Sequence, residues 1–334
     1  MTPVNETLAS YSELFMLIAS FIYLAAFLLF SWDMATASRS IRKLEAQLHT
    51  QKTTQLVGAG GPAVEAPSTP PTSRQLVSDD MEYTEAVKRP AANIAVAIMA
   101  IATLAHAFAV IARGVAASRV PWSNLYEFMT SGALVISVVY LVFLLRKDLR
   151  FVGTFVSGVV LLMMIAATIG FPTPVGNVQP ALQSWWLVTH VSVAVIATGI
   201  FSLTFAMSVL QLLKQRAEKN HKVTGFLRLV PSSLALENWS YRLNAIGFVL
   251  WTFTLIAGSI WGEQAWGRYW NWDAKEVWTF IIWVIYAGYL HARATRGWTG
   301  TRSAWLNITG FLALVFNYTI VNLYFPSLHS YAGL

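Results

Sequence analysis

The chain has 334 residues, of which 56% are hydrophobic and 12% charged, with a formal net charge of +7 and no cysteine. So apolar a composition, with a positive mean hydropathy, excludes an ordinary soluble domain and predicts an all-α, polytopic integral membrane protein. The missing thiols exclude any cysteine redox or metal chemistry belonging to the chain itself.

A helix needs about 20 apolar residues to cross the hydrocarbon layer. Such runs occur near 13–32, 91–112, 125–145, 151–169, 187–213, 244–261, 276–292 and 305–325, which predicts about eight transmembrane helices. The first run carries Glu6 and Glu13 in place of a basic leader, and no small-residue cleavage site follows it, so residues 1–33 read as a retained anchor. Residues 34–90 read as a cytoplasmic segment. It comprises a short surface helix over 34–52 and a disordered linker centred on the Gly/Pro/Ser/Thr-rich stretch 57–73. Residues 91–334 form the remaining seven-helix domain.

Basic residues are retained on the cytoplasmic side of short loops. With the N-terminus outside, the inner loops hold 19 of the 23 Lys+Arg, and only Arg113, Arg119, Arg268 and Lys275 face outward. Both termini are therefore expected outside. The positive charge belongs to an inner face meeting anionic membrane lipid, and no nucleic-acid motif is present.

The densest feature is the outside segment 261–278, WGEQAWGRYWNWDAKEVW, which holds five of the fourteen tryptophans. Tryptophan also gathers in interfacial belts, but a belt needs one or two rings per helix end. Here, just past Trp261, Trp266, Trp270 and Trp272 crowd together with Tyr269 in a connection too polar to be a span. Flat, stiff rings beside a few charges suit a large planar ligand with a charged edge, such as a porphyrin with its propionates. Asp273 and Glu276 have the spacing of a capping box before the seventh apolar run, which would hold this loop rigid.

The order of this segment resembles the tryptophan-rich "WWD" signature of heme-handling membrane proteins of cytochrome c maturation. The resemblance is nearest to the CcsA/ResC (CcsB) type of System II. It extends through PWSNLYE at 121–127 and YLHAR at 289–293 and covers most of the chain from residue 90 onward. It implies a protein of the cell membrane, or of the thylakoid if plastid-borne. It also implies heme b as substrate and ligand, a ResB-type membrane subunit as partner, and apocytochrome c with its CxxCH thiols as acceptor. The role implied is the heme-binding part of a cytochrome c heme lyase. A CcmC-like protein that hands heme to a chaperone without lyase activity is the alternative. A respiratory cytochrome b is a third reading, but no span contains two histidines.

Imidazole is the commonest protein ligand of heme iron, so the six histidines were placed by depth. His190 at the outer end of the fifth span and His329 just beyond the outer end of the eighth reach the face that carries the tryptophan segment. The resemblance makes this pair the axial ligands of an outer heme, although either could instead be an interfacial hydrogen-bonding residue. His291 falls fifteen residues past Glu276, about 22 Å deeper at 1.5 Å per residue. The resemblance makes it a heme ligand within the membrane, the competing reading being a satisfied core histidine. His106 is a candidate packing residue or a support for a ligand-binding side chain, and His49 and His221 lie in basic inner segments with no assigned role. Arg268 and Lys275 are candidate propionate partners, and Asp273 joins them at the heme edge. Ser123 or Asn124 is expected to cap the third span, and Asn124 and Glu127, which share that face, are candidates to touch the heme edge or the incoming apocytochrome.

Overall fold

A computed structural model describes residues 4–58, 89–176 and 184–329. Among them there is no β-strand. The helices are α1 Glu6–Gly58, α2 Pro90–Ala116, α3 Leu125–Leu144, α4 Gly153–Ile165, α5 Trp185–Lys219, α6 Ser233–Trp266, α7 Ala274–Arg296 and α8 Thr301–Phe316.

All eight expected spans are helical. Seven are long and apolar enough to cross a membrane, by length and composition among the described residues. The exception is α7. It is 23 residues long, about 34 Å at 1.5 Å per residue, which is ample for a span. Its apolar run, however, is diluted by Lys275 and Glu276 at one end and His291 and Arg293 at the other.

Two boundaries differ from those expected. The anchor and the surface helix are one helix, since α1 runs unbroken past residue 33 to Gly58. Nothing between 31 and 50 breaks it, because the stretch has neither Gly nor Pro. Val57 and Gly58 end that helix, and the rest of the anticipated linker 57–73 lies outside the described residues. The second correction concerns the tryptophan-rich loop 261–278. Trp261 and Trp266 belong to the last turns of α6, Trp278 belongs to α7, and the connection is only 267–273. Helix propensity and the apolar face of α6 simply outlast its hydrophobic run.

The first helix pair is written in the small residues. Among the buried residues, Met16, Ala19, Tyr23, Ala26 and Phe30 on α1 and Ala92, Ala95, Met99, Ala102, His106, Ala109, Arg113 and Ala116 on α2 form the seam. Both follow alternating steps of three and four, the seam of an antiparallel left-handed pair, and its alanines let the backbones approach closely. His106 sits in this seam at 3.4 Å from the Tyr23 hydroxyl, which donates to Ser137 of α3 at 3.0 Å. It is a packing residue, as the sequence allowed.

The second pair, α5 and α6, is stitched by polar groups. The Thr204 hydroxyl donates to Asn244 Oδ1 at 2.7 Å, and the Asn307 amide from α8 donates to the Thr204 carbonyl at 2.9 Å and to Ser208 Oγ at 2.7 Å. Lipid gives helices no hydrophobic reason to associate, so such bonds and close packing carry the adhesion. The outward faces carry Phe21, Leu104, Ile111, Leu162 and Ile169, all more than half exposed. That is the pattern of a protein whose solvent is hydrocarbon.

Each end of the bundle is tied by a buried carboxylate. At the end predicted to be outer, Glu127 is fully buried and accepts from Arg113 Nε at 2.9 Å and Arg119 Nη1 at 2.7 Å. Both arginines also hold carbonyls of the 171–176 segment. Glu127 therefore staples the turn between α2 and α3 and does not reach toward a ligand. At the opposite end Glu237 accepts from Arg293 at 2.5 Å and from the Gly300 amide at 2.9 Å, fixing the turn between α7 and α8.

Candidate functional site

The site begins where α6 ends. Gly267, with φ of +71°, takes the left-handed conformation that closes a helix, and its amide donates to the Glu263 carbonyl at 2.7 Å. Five residues later Trp272 also has a positive φ, +57°. A bulky side chain pays for that conformation with backbone strain of order 1–3 kcal/mol, and such strain collects at functional sites. Asp273 then caps α7, and the expected capping box is present, with the Asp273 amide donating to Glu276 Oε2 at 3.0 Å. A second amide, that of Asn271, donates to the same oxygen at 2.9 Å. One carboxylate thus fixes the strained segment against the start of α7.

Asp273 has a further role that spacing alone could not reveal. Its Oδ1 accepts the Leu328 amide at 3.2 Å, and its Oδ2 accepts the His329 Nδ1 proton at 2.7 Å. The residue that caps α7 thus also anchors the segment after α8, fifty-six positions along the chain. Burial opposes ionisation of Asp273, but the hydrogen bonds it accepts from His329 and from the amides of Leu328 and Lys275 outweigh it and hold the carboxyl below its ordinary value of 3.8. The stabilisation this adds is present above the ordinary carboxylate pKa and is lost as pH falls through the lowered one.

His190 is held in the same way by a different acceptor. Its Nδ1 lies 2.8 Å from the carbonyl of Thr254 on α6, so it must donate. This close approach depends on Gly258, where a Cβ would stand 2.6 Å from His190 Cε1. The His190 ring lies nearly parallel to the indole of Trp261, 12° apart with centroids at 6.1 Å. Trp261 and Trp266 meet the His329 ring edge-on, with centroids at 5.5 and 4.7 Å. Both imidazoles therefore carry their proton on Nδ1, each fixed by an acceptor, and both keep the Nε2 lone pair for a ligand.

His190 and His329 line one cavity, together with Trp261, Tyr269, Trp270, Lys275 and Glu276. It encloses about 1100 Å³ including its open mouth. Its walls also include Asn124, which caps α3 by accepting the Glu127 amide at 2.9 Å. Of the other residues singled out from sequence, Trp266 backs the cavity through Trp261 and His329, Asp273 acts through the His329 ring, and Arg268 and Trp272 are exposed in the connecting loop. His291 is elsewhere. It is exposed on the flank of α7, four residues beyond Ala287 and toward the Arg293 end.

Sequence reasoning missed the wall opposite the tryptophans. After α8 the chain makes a π-helical turn, Asn317–Val321, which brings Asn317, Tyr318 and Asn322 to the cavity. Lys275 Nζ donates to the Asn317 carbonyl at 2.9 Å and lies 5.2 Å from the centre of the Tyr318 ring. Two buried polar atoms on the wall, Trp122 Nε1 and Asn317 Oδ1, have no hydrogen-bond partner among the described residues. A π turn has no local sequence signature, but such turns often mark functional sites.

Fold and site together define a multi-pass helical membrane protein with two anchored histidines converging on an aromatic cavity at one end of the bundle. The family described as "Cytochrome C assembly protein" matches residues 122–329, a stretch bounded by Trp122 and His329 themselves. The cytochrome c biogenesis protein CcsA of Guillardia theta is 37% identical over 235 residues, covering 64% of this chain and 77% of its own. The CcsA protein of Prochlorococcus marinus is 32% identical over 287 residues, covering 77% of this chain and 89% of its own. Among solved structures, the cytochrome c heme lyase CcmF superposes with a TM-score of 0.53 at 17% identity. That likeness covers 78% of this chain but 48% of the longer CcmF chain, and it shows a shared fold. The chain belongs to the cytochrome c assembly protein family, as a CcsA-type cytochrome c biogenesis protein.

Proposed function

We propose that the chain binds heme b in the outer cavity with His190 and His329 as the two axial ligands, and presents it for attachment to the CxxCH segment of an apocytochrome c. The observation that carries this reading is the matched state of the two rings. Each has Nδ1 tied to a fixed acceptor, which leaves Nε2 as the nitrogen for iron, and both residues line one aromatic cavity. A carboxylate or carbonyl on the far nitrogen orients a ligating imidazole and raises its basicity.

The rest of the cavity fits a flat substrate with anionic edges. Trp261, Trp270 and Tyr269 offer ring faces, Lys275 offers an Nζ donor, and the unpartnered Trp122 Nε1 offers a hydrogen bond to an acceptor. Arg268 and Trp272, exposed beside the opening, are placed to meet the propionates or the incoming polypeptide. The chain has no thiol, so both thioether sulfurs come from the apocytochrome, and its own contribution is to hold the substrate in attack geometry. We assign lyase activity to a complex with a ResB-type subunit. His291, on the exposed flank of α7, faces the membrane or that subunit and serves as the ligand of a second heme within the bilayer. The working membrane is the cytoplasmic membrane, or the thylakoid in a plastid.

The test is the absorption spectrum of the purified complex with its single variants. His190→Ala and His329→Ala should each abolish the low-spin bis-histidine signal of the outer site and stop cytochrome c maturation. His291→Ala should leave the outer pair intact, and His221→Ala should change nothing. Unchanged heme content in all of the first three variants would sink the assignment.

A further inference from the structure

We propose a binding site for an anionic phospholipid at the opposite end of the bundle, in the groove between the start of α2 and the end of α3. The inference is independent of how the outer cavity is read.

The groove encloses about 1370 Å³ including its open mouth. Val96 and Ala100 on α2 face Val138, Val142 and Leu145 on α3 across it. These α3 residues recur every three to four positions and are 43%, 54% and 83% exposed. They form an apolar wall about 10 Å long at 1.5 Å per residue, lying within helices that span the membrane. At its end the wall meets Arg146, Lys147 and Arg150, with Asp148 as the one acid lining the mouth.

Asp148 is already committed. It accepts from Arg150 at 2.6 and 2.8 Å, and Arg150 Nη1 in turn donates to Asn93 Oδ1 at 2.6 Å, which pins the mouth of the groove to the first turn of α2. Lys147 lies 5.4 Å from the centre of the Trp239 ring, which Arg242 approaches to the same distance from α6. Arg146 is exposed and forms no ion pair among the described residues. The mouth thus holds more cations than acids, and Lys147 connects it to an aromatic ring of the kind that settles at headgroup depth.

An occupant must therefore be apolar along its length and anionic at one end. A free anion satisfies only the mouth, a zwitterionic lipid satisfies the wall with no net charge for the cations, and an anionic phospholipid satisfies both. This is also the side assigned to the inner leaflet by the distribution of Lys and Arg, where anionic lipid attracts basic pockets between helices.

Native mass spectrometry of the detergent-solubilised full chain can separate these sources, with phosphatidylglycerol, phosphatidylcholine of the same acyl chains, and inorganic phosphate as probes. Phosphatidylglycerol should be retained in preference to both others. Arg146→Gln with Lys147→Gln should weaken that retention by about thirtyfold, at roughly 1 kcal/mol per cation. Arg216→Gln with Lys219→Gln, which removes equal charge from the last turn of α5, should not. Val142→Trp should fill the groove and displace lipid while leaving the cations in place, and it carries the test alone if the charge variant fails to fold. Equal retention of the two lipids, inorganic phosphate binding as tightly as phosphatidylglycerol, equal loss in the two charge variants, or undiminished lipid on Val142→Trp would each overturn the proposal.

Discussion

Asp273 performs two jobs, capping α7 and orienting His329, and substitution can separate them. Asparagine caps a helix about as well as aspartate, so Asp273→Asn should keep α7 while removing the negative charge from the far side of His329. The expected result is a ten- to hundredfold loss of heme affinity, with a rise in midpoint potential as the ring becomes a poorer donor. Potentiometric titration followed by absorbance measures both. Asp273→Ala should add a cost of about 1 kcal/mol for the lost cap, visible as a lower melting temperature that the asparagine variant does not share. Gly258 is the matching residue for His190. Gly258→Ala places a methyl group against the ring and should cost about 1–3 kcal/mol through overpacking. If the chain folds, the His190 to Thr254 bond is the contact that gives way, so the variant should resemble His190→Ala in its heme spectrum. A Gly258→Ala protein with a native spectrum would show that α6 absorbs the methyl group elsewhere.

Among the elements, the connection 267–273 is short, strained and fixed at both ends, by Gly267 closing α6 and by Glu276 holding the amides of Asn271 and Asp273. Trp272 is the residue that pays for this shape and yet does not line the cavity, being 75% exposed. Trp272→Gly should relieve about 1 kcal/mol or more of backbone strain and leave heme binding intact, while maturation of apocytochrome in cells falls. Loss of heme from that variant would instead place the indole on the ligand. Glu276→Ala should have the opposite signature, lowering thermal stability and heme occupancy together, because it frees two amides and the loop that carries Tyr269 and Trp270.

At the scale of the whole molecule, the end bearing the cavity depends on ion pairs buried beside it. Glu127 is enclosed by two guanidiniums, and removing one partner of such a cluster costs about 3–5 kcal/mol because the remaining charge has no water to turn to. Glu127→Gln should therefore lower the melting temperature of the purified protein and loosen the 171–176 segment that both arginines hold. Proteolysis of that segment in the variant, with wild type resistant, would check it. The same region supplies Asn124 and Trp122 to the cavity wall, so a fall in heme occupancy should accompany the fall in stability.

Composition, charge and periodicity were sufficient for the membrane class, the eight helical segments and the capping box. Those properties depend on local chemistry, which is written along the chain. The unbroken α1 and the extension of α6 through Trp266 were legible less well, since a hydrophobic run marks where lipid begins and not where a helix stops. What brings Asp273 to His329, Thr254 to His190 and the Asn317 carbonyl to Lys275 is contact between residues 42 to 64 positions apart. Such pairings are decided by how helices dock, and the tautomers of both histidines, the strain at Trp272 and the far wall of the cavity follow from docking alone.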